Sequence, residues 1–269
     1  MPARSKLGQN FLRDAQAVQR IALALGSLSG RTIVEIGPGH GAITAALAAR
    51  AAHLIAVEFD RELAAQLRVQ FALHQQARIT IVEQDVLHFD FSAASASADQ
   101  RLLVAGNLPY YITSPILLKL AANAASLDRA VLMVQREVAD RVAAQPGSRD
   151  YGLLSVTVQL YGPVEKLFTL PPAAFSPAPK VHSTVFRWRF APRFEELGIS
   201  EESFLAFARL CFAQKRKTLA NNLRAAGFAQ QLIAAAMDSA AIPPQARAES
   251  QSIESLALLW RILGAPLEA

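Results

Sequence analysis

The chain has 269 residues, 52% hydrophobic and 18% charged, a balance that excludes an intrinsically disordered protein and leaves room for an ordinary domain with a smaller second one. A single cysteine, Cys211, excludes an intrachain disulfide and reads as a small core residue; the five histidines are scattered without metal-ligand spacing, so no metal is expected. The formal charge of +5 suits a polyanionic partner without identifying one.

Met1 to Asn10 is basic, but the apolar run that follows, Ile21 to Leu25, is too short for the core of an export signal. No uncharged apolar stretch is long enough to span a bilayer, so a soluble, cytoplasmic protein with no membrane partner is expected. An amphipathic helix is predicted from Asp14, as N-cap, to Leu25. From Thr32 to Thr44 a β-branched run meets Gly37, Gly39 and Gly41 and then an alanine-rich stretch, which reads as strand, glycine turn and helix. The turn lacks the later glycine of a dinucleotide fingerprint and the Gly-Lys-Ser/Thr of a P-loop, so it suits a nucleoside ligand without pyrophosphate. The same pattern also serves as a bare tight turn in any α/β domain.

Next come a strand from His53 to Glu58, a helix from Arg61 to Leu73 capped by Asp60, and a strand from Ile79 to Val82 closing on Asp85. Ser92 to Gln100 is rich in alanine and serine and reads as a solvated loop. Leu102 to Ala105 is a strand leading into Gly106-Asn107-Leu108-Pro109-Tyr110. Ser114 and Pro115 then open a helix, with the serine as cap, and Ala130 to Val134 is a fifth strand. This alternation implies a parallel sheet with helices on both faces. Ligands bind such sheets beyond the carboxyl ends of the strands, where Gly37, Glu58, Asp85 and Asn107 all fall. Glu58 lies about twenty residues past the turn, the place of a ribose-binding carboxylate.

Tyr151 to Tyr161 fits helix and strand equally. Val164 to Leu170 and Val181 to Phe190 alternate as strands and can form a hairpin finishing the sheet. Pro192 and Gly198 mark a domain boundary within Ala191 to Ser200. Three helices follow, Glu201 to Leu223, Ala229 to Ser239 and Ser252 to Leu263. The expected division is thus 1–192 for the sheet domain and 193–269 for a small helical one.

Asn107-Leu108-Pro109-Tyr110 has a definite use in methylating an exocyclic amine. The lone pair of adenine's 6-amino group is delocalised into the ring, and two acceptors, the Asn107 side-chain oxygen and the Leu108 carbonyl, favour a tetrahedral nitrogen as it attacks. Pro109 stiffens the loop and Tyr110 offers a stacking surface. An Asn-x-Pro turn with a buried tyrosine satisfies the same residues. Phe175, in a proline-rich loop, can close on the other face of the base or serve as a core phenylalanine. Between Ser203 and Met237 there are five basic residues and no acidic one. On one continuous helix Arg209, Arg216, Lys217 and Arg224 flank an apolar stripe, forming either a phosphate-tracking surface or a solvated face.

Together these stretches resemble the KsgA-type ribosomal RNA adenine dimethyltransferases. The matching residues are Gly8 to Leu12, Glu35 to Gly41, Val57-Glu58, Asp85, Asn107 to Tyr110, Tyr151-Gly152, Phe175 to Val181 and Lys215 to Leu219. The resemblance implies a Rossmann-like class I S-adenosylmethionine-dependent methyltransferase sheet with a small C-terminal helical domain that binds RNA. It implies dimethylation of two adjacent adenines near the 3′ end of small-subunit (16S) ribosomal RNA, during biogenesis of that subunit. It further implies that Asn10, Leu12, Gly37, Glu58, Asp85 and Asn107 contact S-adenosylmethionine, Glu58 holding the ribose and Asp85 the adenine amino group. Asn107, Leu108 and Tyr110 would hold the target adenine with Phe175 opposite, and the Tyr151 segment would begin as helix. Arg209, Lys215, Arg216, Lys217 and Arg224 would contact RNA, although Ala220 stands where the family often has a further basic residue. The implied partner is a small-subunit precursor, met by a monomer. Two other readings are a macrolide-resistance methyltransferase acting on the large subunit, and a noncatalytic assembly factor on the same fold.

Overall fold

The structure is a computed structural model that describes residues 9–72, 78–95 and 100–264. The start of the chain up to Gly8, the expected helix end at Leu73 and part of the Ser92–Gln100 loop lie outside the described residues. In chain order the elements are β1 (Phe11–Leu12), α1 (Ala15–Ala24), β2 (Thr32–Ile36), α2 (Ala42–Ala48), β3 (His53–Glu58), α3 (Arg61–Phe71), β4 (Arg78–Glu83), α4 (Phe91–Ala94), β5 (Leu102–Asn107), α5 (Thr113–Ala122) and β6 (Leu127–Gln135). They continue as α6 (Arg136–Val142), α7 (Leu153–Leu160), β7 (Val164–Leu170), β8 (Phe175–Ser176), β9 (Ser183–Arg189), α8 (Phe194–Leu197), α9 (Glu201–Cys211), α10 (Leu219–Ala225), α11 (Gln230–Ser239) and α12 (Ile253–Leu263).

Two compact units result, residues 1–139 with 163–191, and residues 140–162 with 192–269. The sequence reading keeps 140–162 with the sheet; the structure groups α7 with the C-terminal helices. Its residues Val156, Val158 and Leu160 are fully buried. At its end Tyr161 donates from its hydroxyl to Glu201 Oε1 at 2.6 Å, and Leu160 O accepts from the Arg193 N–H at 2.9 Å. The ambiguous segment is helical from Leu153, and Ser155 Oγ accepts from the N–H of the capping Gly152 at 3.0 Å, tying off its first turn.

In the first unit a seven-stranded sheet runs in the order β4-β3-β2-β5-β6-β9-β7. The first five strands are mutually parallel; β9 is antiparallel to β6, and β7 is antiparallel to β9. The expected hairpin therefore does finish the sheet, with its second strand on the inside. Every residue of β2 is buried, as befits a central parallel strand covered on both faces. Strand order reverses between β2 and β5, and the carboxyl ends of both converge there with that of β3, Ile36 lying opposite Val57 on one side and Gly106 on the other. A separate antiparallel pair joins β1 to β8, with Leu12 opposite Phe175.

Helix starts follow the local chemistry. Asp14 Oδ1 accepts from the Gln16 and Ala17 N–H groups at 2.9 and 3.0 Å, and Asp60 Oδ1 from Glu62 and Leu63 at 2.9 and 3.2 Å. Three expectations need correction. Ser114 is not a cap: α5 begins at Thr113, whose hydroxyl donates to Pro109 O at 3.0 Å. The serine-rich loop begins as helix α4, because Asp90 caps it and the fully buried Phe91 anchors it.

The expected helix from Glu201 to Leu223 is two helices, α9 and α10. Asn222 Nδ2 donates to Cys211 O at 2.7 Å and Gln214 O at 3.3 Å, satisfying carbonyls at the end of α9, while Thr218 Oγ1 caps α10 by accepting from the Asn221 N–H at 3.2 Å. Each end is stabilised without the other. The core of this second unit includes Phe204, Phe207, Cys211, Leu219, Leu223 and Leu256. Burial pushes the Cys211 thiol up, out of the reactive range.

Candidate active site

A cavity of about 300 Å³ opens beyond the carboxyl ends of β2, β3, β4 and β5. The glycine turn forms one wall. Gly37 and Gly39 have φ of +64° and +59°, conformations that side chains with a Cβ rarely adopt. A Cβ on Gly39 would also lie 2.8 Å from the Phe11 ring, so the missing side chain lets β1 close over the turn. The Gly37 N–H donates to Val57 O at 3.0 Å, binding the turn to the neighbouring strand end.

Glu58, the last residue of β3, is 3% exposed and lines the cavity. Its Oε2 accepts from the Gly39 N–H at 3.0 Å and its Oε1 from the Asp60 N–H at 2.9 Å. Both oxygens are thus held in place while each keeps a further lone pair for a ligand hydroxyl. Asp85 lies past the end of β4; its Oδ1 accepts from the Leu87 N–H at 2.9 Å, and it shares the cavity wall with Gln84 and Val86. Two carboxylates and no Lys, Arg or His are found among the described lining residues. Such a wall repels phosphate and attracts a cationic ligand.

Asn107 ends β5 and forms the opposite wall with Leu108, Pro109 and Tyr110. Asn107 Nδ2 donates to the Asn10 carbonyl at 2.8 Å, the Leu108 N–H donates to Met133 O at 2.9 Å, and Pro109 O accepts from both the Ile112 N–H and the Thr113 hydroxyl. The loop is therefore anchored at three of its four residues by main-chain partners or adjoining strands. Tyr110, half-buried, donates to or accepts from Ser183 Oγ at 2.8 Å; burial raises its phenol, so the hydroxyl stays protonated near neutral pH.

Of the expected site residues, Asn10, Gly37, Glu58, Asp85, Asn107, Leu108 and Tyr110 meet around this one cavity. Leu12 and Phe175 do not line it. They are 6% and 4% exposed, pair across β1 and β8, and belong to the hydrophobic core. Phe175 is expected either opposite the base or in the core; here it is buried opposite Leu12 of β1, within the hydrophobic core cluster. Two exposed aromatics that sequence reasoning passed over, Phe59 and Tyr111, line the cavity instead. Their signal was adjacency, Phe59 following Glu58 and Tyr111 following Tyr110.

Glu35 of β2 was also unremarked as an acid. It is 1% exposed, and burial, reinforced by the negative charge of Glu58 and only partly offset by Thr44, pushes its carboxyl up to about 8. Its Oε2 finds no hydrogen-bond partner among the described residues.

The basic residues lie in the second unit. Arg209 is on α9 and Arg224 on α10, while Lys215, Arg216 and Lys217 are exposed in the turn between the helices, so the single continuous stripe is corrected to a cluster about a turn. Lys215 Nζ donates to Arg149 O at 3.1 Å, and Arg224 donates to Asn221 Oδ1 at 2.8 Å. Among the described residues no group of His, Cys, Asp and Glu side chains is arranged to hold a metal ion, and no helix is long and apolar enough to cross a membrane.

A family profile described as ribosomal RNA adenine dimethylase matches residues 2–264. The ribosomal RNA small subunit methyltransferase A of Acidobacterium capsulatum is 60% identical over 258 residues, covering 96% of this chain and 90% of its own. The protein of the same name from Koribacter versatilis is 50% identical, covering 97% and 94%. Among solved structures, the 23S rRNA methyltransferase ErmE is 27% identical with a TM-score of 0.71, covering 94% of this chain and 99% of its own. A dimethyladenosine transferase from Plasmodium falciparum, 21% identical with a TM-score of 0.77 and covering 93% and 95%, shares the fold. With its cavity at the switch point of a class I methyltransferase sheet and relatives alike along nearly their whole length, the chain belongs to the ribosomal RNA adenine dimethylase family.

Proposed function

We propose that this enzyme uses S-adenosylmethionine to dimethylate the 6-amino groups of two adjacent adenines near the 3′ end of small-subunit ribosomal RNA, acting as a monomer on a small-subunit precursor in the cytoplasm. The observation that carries this reading is the pairing, in one cavity, of a wall that bears Glu58 and Asp85 and, among the described residues, no Lys, Arg or His, with the anchored Asn107-to-Tyr110 loop.

The cavity suits the cofactor. Gly37 and Gly39 leave main chain open to a nucleoside, Glu58 presents two fixed oxygens to ribose hydroxyls, and Asp85 is placed for an adenine amino group. When bound, S-adenosylmethionine supplies an electrophilic methyl group on a positively charged sulfur, a charge that the two carboxylates favour. On the other wall, Asn107 Oδ1 and the Leu108 carbonyl accept the two hydrogens of the target amine, turning its lone pair out of conjugation. The Tyr110 ring stacks on the unstacked base. No strong base is needed, because the amine becomes acidic once alkylated. Water then takes its proton.

In this reading residues 1–192 bind cofactor and target base, and residues 193–269, with Arg209, Lys215, Arg216, Lys217 and Arg224, track phosphates. Phosphate contacts carry no sequence information, so a folded precursor must hold the target loop in place. That both curated relatives named above are small-subunit methyltransferases favours this subunit over the large one. The test offers the enzyme labelled S-adenosylmethionine with small-subunit precursor, protein-free small-subunit RNA or large-subunit precursor, and maps dimethyladenosine by mass spectrometry. Modification confined to the small-subunit particle is expected. Equal methylation of protein-free RNA refutes the particle requirement, and methylation of the large subunit alone refutes the assignment.

A further inference from the structure

Ser183 opens β9 and is fully buried. Its main chain is clamped between two strands, opposite Gln135 of β6 and Leu170 of β7, and the preceding residue is held too, His182 O accepting from the Arg136 N–H at 3.0 Å. Its hydroxyl is therefore a fixed point of the sheet. That point lies 2.8 Å from the Tyr110 hydroxyl, which comes from a loop 73 residues earlier in the chain.

A tyrosine hydroxyl lies on the axis through Cβ and Cγ, so a bond there fixes the first side-chain torsion and with it the direction of the ring axis, while the preference of a phenol O–H for the ring plane favours one setting of the second torsion. At the near end, Tyr110 follows Pro109, whose carbonyl is tied to Ile112 and Thr113. At the far end it is tied to Ser183. A ring held this way keeps its axis in one place against the cavity. A base that must meet Asn107 and a methyl donor in one orientation gains from such a preset surface, since misplacement by about 1 Å costs about a hundredfold in rate. We propose that Ser183 is a positioning residue for methyl transfer, fixing where the Tyr110 ring, on which the target base stacks, lies in the cavity wall. This rests on the stacking role given to Tyr110 above.

The test is a double-mutant cycle on the single-turnover rate, with labelled S-adenosylmethionine and unmethylated small-subunit particles. Ser183→Ala and Tyr110→Phe should each slow methyl transfer about three- to tenfold, the range for one hydrogen bond. Cofactor affinity by calorimetry should stay within about twofold, and the double variant should be no slower than the slower single one. Tyr110→Phe probes the bond without touching the buried serine, so a packing defect in Ser183→Ala, visible in its melting temperature, cannot mimic the result. Losses that multiply in the double variant, or a full rate in Tyr110→Phe, overturn the proposal. Tyr110→Ala separates it from the reading beneath: full activity there discards stacking and positioning together, whereas a large loss there with full rates in the other two discards positioning alone.

Discussion

Asn107 Nδ2 donates to the main-chain carbonyl of Asn10 at 2.8 Å, a bond that spans 97 residues of sequence and decides which end of the amide is free. A carbonyl can only accept, so the NH₂ must point to Asn10 and Oδ1 remains as the acceptor on a side chain lining the cavity. Asn107→Asp keeps the shape but sets a carboxylate oxygen against the Asn10 carbonyl, and two acceptors repel. The methyl-transfer rate should fall about a hundredfold, the typical cost of losing one preorganised group at a reacting centre. A single-turnover rate within about threefold of the wild type would mean that amide orientation does not matter.

Glu58 is the second wall's anchor. Glu58→Ala removes both oxygens that hold the Gly39 and Asp60 N–H groups as well as the acceptors for the ribose. S-adenosylmethionine binding should weaken by about 1.5–3 kcal/mol, the range for a hydrogen bond to a charged group. Unchanged affinity in a calorimetric titration would take Glu58 out of the cofactor site.

The cluster about the α9–α10 turn should act through charge. Replacing Arg216, Lys217 and Arg224 together by glutamine should weaken binding to small-subunit particles and flatten the dependence of log K on log[salt] by about two, since each lost phosphate contact releases about 0.7–0.9 fewer counterions. Binding measured across a series of KCl concentrations gives the slope. An unaltered slope would make the cluster an ordinary solvated surface.

Glu35 should make stability depend on pH. Its folded carboxyl titrates near 8 and an unfolded one near 4.5, so between these values the folded state holds a proton that the unfolded state has released. Stability is then full below about pH 4.5 and declines as pH rises toward 8. Glu35→Gln keeps the neutral shape and removes this proton, so the variant should gain on the wild type by a few kcal/mol between pH 5 and pH 8. Denaturant titrations at both pH values check it; parallel pH dependence in the two proteins would mean that Glu35 is ionised in the folded state.

Interactions that close within a few residues were legible in the sequence. Asp14 and Asp60 cap helices by reaching two and three residues ahead, the glycine spacing specifies its own turn, and alternation with helical segments implies the parallel sheet whose strand ends gather Gly37, Glu58, Asp85 and Asn107. What spans long separations was not. The break after Cys211 depends on Asn222 reaching back to satisfy a helix end, which a helical wheel cannot register. Phe175 has the composition of a stacking residue or a core residue equally, and its burial in the folded core, opposite Leu12 of β1, is visible only in the tertiary structure. The weakened acidity of Glu35 comes from its desolvation within β2, and the placement of Asn107 and Tyr110 from Asn10 and Ser183, 97 and 73 residues away. Sequence determined which groups the site possesses. Tertiary structure alone decided how they are held, because a hydrogen bond between distant residues depends on where the backbone brings them.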